Sequence, residues 1–103
     1  MSFNGNEGMQ ITLQQGAALT KNFRTSSETR IAVFYGVNKL QDILSQQGCM
    51  GIRFYFARDA QGRIQLVLVG ADANENDMIS GIIVDSGTGC PEECSSSNPL
   101  NTD

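Results

Sequence analysis

Apolar residues change their spacing twice along this chain. Residues 1–9 are rich in Gly and Asn, carry no periodic pattern, and are expected to form a loose arm. Thr12 and Gln15 then stand in the order of a capping box, the Thr side chain capping the first turn and the Gln side chain reaching back. Gly16, Leu19 and Phe23 share one face at helical spacing, which predicts a helix to Arg24. A second cap, Thr25 with Glu28 three positions on, predicts a further helix carrying Val33, Val37, Leu40 and Leu44 as one apolar stripe. Gly36 is a point where this helix divides, with Asn38 capping the second piece, and Gln47-Gly48 ends it.

From Met50 the period falls to two. Met50, Ile52, Phe54 and Phe56 alternate with Arg53 and Tyr55, as in a strand with one apolar face. Asp59-Ala60-Gln61-Gly62 has the residues of a type I turn closed by a glycine bulge, so the strand should return as a hairpin. The return, Arg63 to Ala71, is apolar on both faces and is expected at the centre of the sheet. Residues 72–77 are a polar loop, and Met78 to Val84 reads as a third strand. The Ser/Asn/Pro stretch 95–103 is expected to lack order. The predicted architecture is α+β: two or three N-terminal helices on an antiparallel meander of about three strands, one domain over residues 10–94.

Charge sharpens this picture. The net charge is −4, which opposes non-specific binding to nucleic acid or anionic lipid. Residues 1–63 hold all seven bases and four acids, whereas residues 64–103 hold no base and seven acids. Such a split suits a solvated acidic rim, a cation site or a charge-complementary self-contact. Apolar runs such as Leu66 to Val69 are far short of the ~20 residues of a spanning helix. The N-terminus has neither the basic start nor the apolar core of a secretion signal, so the expected compartment is the cytoplasm.

Three stretches carry a resemblance: Gly48-Cys49-Met50-Gly51-Ile52-Arg53, Leu66 through Asp77, and Cys90-Pro91-Glu92-Glu93-Cys94. Together they are similar to a family of short uncharacterised proteins from Bacteroidota-type bacteria, over about residues 10–94. The resemblance implies a small cytosolic domain and adds no chemistry.

Candidate chemistry is sparse. The chain has no His, which removes Ser-His and Cys-His nucleophile pairs and His-based metal sites. Asp72, Asn74 and Asn76 match the opening of a calcium loop, but Asp77 stands where that loop needs Gly and Ile83 where it needs Glu. The plainer reading is a loop whose Asx side chains bond their own backbone. Cys90 and Cys94 are spaced within the range of zinc ligands, and Cys49 offers a third thiolate, with Asp85, Glu92 or Glu93 as the fourth ligand. The alternatives are unliganded thiols, as three Cys in a chain without a secretion signal suggest, or a Cys90–Cys94 disulfide. Gly87-Thr88-Gly89 lacks the Lys and helix of a phosphate loop. Tyr35, Phe54, Tyr55 and Phe56 could form a ligand-facing wall, but core packing is the better reading for Phe54 and Phe56.

The reading that follows is a non-catalytic binding or interaction module without a cofactor. It is expected to form a homodimer, because two helices leave part of an apolar sheet uncovered. The competing classes are a thiolate metal or redox protein using Cys49, Cys90 and Cys94, and a calcium module using Asp72, Asn74, Asn76 and Asp77.

Overall fold

The computed structural model describes residues 2–103. Met1, the first residue of the expected arm, lies outside them. The fold is α+β, with two helices and two antiparallel sheets. In chain order the elements are α1 (Leu13–Arg24), β1 (Ala32–Phe34), α2 (Val37–Leu44), β2 (Gly51–Arg58), β3 (Ile64–Ala71), β4 (Ile83–Val84) and β5 (Thr88–Cys90). No helix among the described residues is long and apolar enough to cross a membrane.

Local chemistry sets α1. The Thr12 hydroxyl accepts from the Gln15 N–H at 3.1 Å, and the Gln15 side chain accepts from the Thr12 N–H at 2.9 Å, completing the capping box. None of the residues of α1 is buried. The C-terminal segment lies along this helix: Arg24 Nη1 donates to the Leu100 carbonyl at 2.7 Å, and Arg24 Nη2 pairs with Asp103 at 2.5 Å. The Leu100 side chain packs over Gly16. Within residues 95–103, Leu100 and Asp103 make these contacts to α1.

The predicted second helix divides further than expected. Residues 25–31 contain no helix, Ala32–Phe34 is a strand, and the helix starts only at Val37. Gly36, not Asn38, occupies the cap, and it makes no side-chain cap bond. The reason is long-range pairing: Ala32, Val33 and Phe34 face Cys90, Gly89 and Thr88 across an antiparallel ladder. The fully buried residue of α2 is Ile43, which the expected stripe omitted; two members of that stripe, Val37 and Leu44, are exposed, because the helix turns a different face to the sheet.

The hairpin follows the expected lines. β2 and β3 pair antiparallel without interruption from Gly51↔Ala71 to Arg58↔Ile64. Asp59 organises the turn: its Oδ1 accepts from the Gln61 and Arg63 N–H groups at 2.9 Å, and Gly62 sits at φ +80°. β3 is central, in the order β2-β3-β4, and supplies Leu68, Val69 and Ala71 to the core. The third strand is shorter than Met78 to Val84, because residues 79–81 turn and leave two ladder pairs, Leu68↔Val84 and Val69↔Ile83. Gln46 bridges this turn to the end of α2: its Nε2 donates to the Ile43 carbonyl at 2.8 Å, and its Oε1 accepts from the Ile82 N–H at 2.9 Å.

β4 is too short to satisfy the far edge of β3, and side chains and a loop complete it. Met78 N–H bonds to the Gly70 carbonyl at 2.8 Å. Arg30 Nη1 donates to the Ile64 carbonyl at 3.0 Å, and the Tyr35 hydroxyl donates to the Leu66 carbonyl. Each of these carbonyls points away from β2, so the two side chains do the work of a missing strand.

The turn yields a test. No atom lies within 4 Å of where a β-carbon would sit at Gly62, so a substitution there meets backbone strain alone. Gly62→Val is expected to lower stability by roughly 1–2 kcal/mol in urea unfolding, since a β-branched residue resists positive φ. An unchanged midpoint would contradict the turn geometry.

Candidate functional site

Strand alternation places Phe54 and Phe56 on one face of the sheet, opposite Leu68 and Leu66 of β3. Expected in the core, they are on the surface: Phe54 is 48% exposed and Phe56 88%. The correction has a simple cause. α1 stands off this face and does not cover β2, so alternation selects which side chains share a face but not whether that face is roofed. Between helix and sheet lies an open apolar trough of about 350 Å³, lined by Leu19, Phe23, Phe56, Ile64, Leu66 and Leu100. Its volume is at the small end of the ~300–1,000 Å³ of ligand and anchor pockets.

One charge lies at the base of this trough. Arg30 is 8% exposed and is the buried charged residue of the described chain. Its guanidinium is held by the Ile64 carbonyl and stands 3.8 Å from the Asp59 carboxylate. It also packs on Gly89, whose lack of a β-carbon leaves the necessary space. Among the described residues Arg30 Nε has no hydrogen-bond partner. Sequence reasoning missed Arg30. The available signal was one base inside the otherwise uncharged stretch Thr29 to Asn38, a place where a cation is kept only if a carbonyl or acid receives it.

On the opposite face, Arg53, Tyr55 and Asp77 form a triad. Arg53 Nη1 and the Tyr55 hydroxyl both donate to the Asp77 carboxylate at 2.5 Å. The Phe3 ring lies 5.4 Å from the Arg53 guanidinium, and the Phe3 N–H bonds to the Ala73 carbonyl at 2.9 Å, so the arm docks here. The Tyr55 hydrogen bond, then Arg53, hold the Asp77 carboxyl below the usual carboxylate range, while the same hydrogen bond pushes the Tyr55 phenol up.

Two of the calcium-loop residues, Asp72 and Asp77, hold partners within the chain. Asp72 Oδ1 accepts from the Asn74 and Asn76 N–H groups at 3.0 Å, the Asx turn expected of the plainer reading. Asp77 points to β2 and not into the loop. The cysteines separate as well. Cys90 and Cys94 form a disulfide, with Cα atoms 4.8 Å apart, while Cys49 is free and its thiol donates to the Gly51 carbonyl at 3.2 Å. Cys49 instead lies near Gly70 and Gln46, at the end of α2. Among the described residues no three His, Cys, Asp or Glu side chains stand together as a metal site. Unliganded thiols describe Cys49 and not Cys90 or Cys94.

No protein-family profile, curated protein or solved structure matches this chain.

Two outcomes are expected. Thiol titration of the denatured, unreduced chain should count one group, Cys49, rising to the full three on reduction; a count of three without reductant would refute the disulfide. The Asp77 cluster should also leave an acid signature. Because folding lowers the Asp77 pKa, the unfolded chain takes up its proton first as pH falls. The stabilisation is complete above the unfolded Asp value of about 3.9 and is lost as pH drops through the lower folded value. The stability gap between the natural chain and Asp77→Asn should thus be constant near neutral pH and shrink below that point, as followed by urea unfolding across pH. A gap independent of pH would contradict the cluster.

Proposed function

We propose that this protein is a non-catalytic interaction module that associates with itself. The observation that supports the reading is surface left unburied. A folded monomer of 11.1 kDa exposes about 5,700 Å² by the general size scaling. This chain exposes 7456 Å², a surplus of about 1,800 Å² over that scaling. Its radius of gyration, 15.1 Å, likewise exceeds the ~12.8 Å usual for this length. The arm and tail contribute to the surplus, and so do large apolar side chains on elements of the fold: Leu19, Phe34, Phe54, Phe56 and Ile83. A standard interface removes ~800 Å² per partner, well within what this surface offers.

A second copy is the economical occupant, because every copy brings the same apolar surface wherever the protein is present. Charge adds direction and not affinity. All five Arg residues already have acidic partners within the chain, so association driven by apolar burial should weaken only slightly in moderate salt.

Light scattering coupled to gel filtration tests this. The expected mass at micromolar concentration is twice 11.1 kDa and persists in salt. A mass of 11.1 kDa that stays constant as concentration rises would defeat self-association.

A further inference from the structure

We propose that the two copies join edge to edge through β2, antiparallel about a two-fold axis, so that the three-stranded sheet of each becomes half of one continuous sheet. The inference rests on the self-association reading and assigns its surface. It starts from the parity of the hairpin. The Asp59 N–H bonds to the Arg63 carbonyl at 2.9 Å, which fixes the ladder. Gly51, Arg53, Tyr55 and Ala57 then direct their backbone groups to β3, and Ile52, Phe54 and Phe56 direct theirs outward. Among the described residues no hydrogen bond reaches the outward N–H or C=O of these three.

The contrast with β3 makes the vacancy informative. There every outward position is met, by Arg30 at Ile64, by Tyr35 at Leu66, by β4 at Leu68 and by Met78 at Gly70. β2 is the sheet's other edge and has no such cover. It also lacks the usual protection of an exposed edge. Its pairing to β3 runs unbroken by a bulge, it holds no Pro or Lys, and its two charges, Arg53 and Arg58, are drawn aside by Asp77 and Glu28. Three consecutive aromatic residues, Phe54, Tyr55 and Phe56, occupy its middle at 48%, 48% and 88% exposure.

Parity also selects the register. Outward residues must face outward residues, so the two-fold axis passes through a residue position and not between two. Centring it on Tyr55 sets Phe54 against Phe56 of the second copy, twice, with Tyr55 against its own equivalent. Aromatic pairs of this kind stabilise antiparallel ladders. Arg53 then faces Ala57, and Arg58 lays its apolar stem over Ile52, so no like charges meet. The three rings and their backbone contribute on the order of 400 Å² per copy. Phe23 of α1, which lines the same trough as Phe56, extends the contact toward the ~800 Å² of a standard interface.

Two variants test the arrangement. Pro at position 56 removes an N–H that β3 does not use, so Phe56→Pro should keep the fold by circular dichroism while halving the mass seen by light scattering. Phe56→Lys serves the same end if Pro disturbs the strand, since that side chain is 88% exposed. Separately, Tyr55 and its equivalent form a non-hydrogen-bonded pair with Cα atoms ~4.5 Å apart, within the reach of a disulfide. Tyr55→Cys in a Cys49→Ser background should therefore yield a covalent dimer on mild oxidation. A dimer that survives both Phe56 substitutions, or a Tyr55→Cys chain that stays uncrosslinked while dimeric, would overturn edge pairing and leave self-association standing through another face. A natural chain that is monomeric at all concentrations would overturn both.

Discussion

β3 has more backbone to satisfy than its neighbours can reach, and much of the structure answers that constraint. Its second half is the centre of the core, with Leu68 fully buried and Val69 and Ala71 nearly so. An unpaired carbonyl in such surroundings costs about 1–3 kcal/mol. β4 spans only Ile83–Val84, and the first half of β3 therefore depends on residues from the segment before α2. Arg30 and Tyr35 reach that edge because β1 lies between them, held against β5. The two small ladders are thus coupled: pairing of β1 with β5 positions the side chains that complete β3, and Gly89 of β5 makes room for one of them.

Charge distribution is resolved within the same frame. The acidic second part of the chain is tied to the basic first part through Arg53–Asp77 and Arg24–Asp103. Both pairs join segments far apart in sequence, and both are partly exposed, so each adds modest stability. Their effect is positional. Arg53–Asp77 fixes the loop after β3 against β2 beside the docked arm, and Arg24–Asp103 lays the tail along α1.

How much of this was legible follows from the range of each interaction. The capping box at Thr12 and Gln15 and the turn at Asp59 and Gly62 are closed by neighbours within four positions, and the residues alone locate them. The apolar character of both faces of β3 likewise marks it as central. Where partners are remote, the sequence misleads. Val33 and Val37 have helical spacing, but pairing with Gly89 draws Val33 into a strand. Cys90 and Cys94 carry no local mark distinguishing a disulfide from ligands or free thiols. Phe54 and Phe56 read as core because alternation reports a shared face, while the cover over that face depends on where α1 settles. Arg30 went unnoticed because a buried cation is explained only by its acceptor, and that carbonyl lies 34 residues away.

The contact of the tail with α1 bears on the order of events during synthesis. A helix of 12 residues with no buried side chain is marginal on its own in water. The carbonyl that receives Arg24 belongs to a residue made 76 positions later. α1 therefore waits for most of this stretch to be made before it finds its place. Leu19 and Phe23 stay exposed even after the tail has docked, so they are open to another apolar surface, including that of a second copy, both during synthesis and after it.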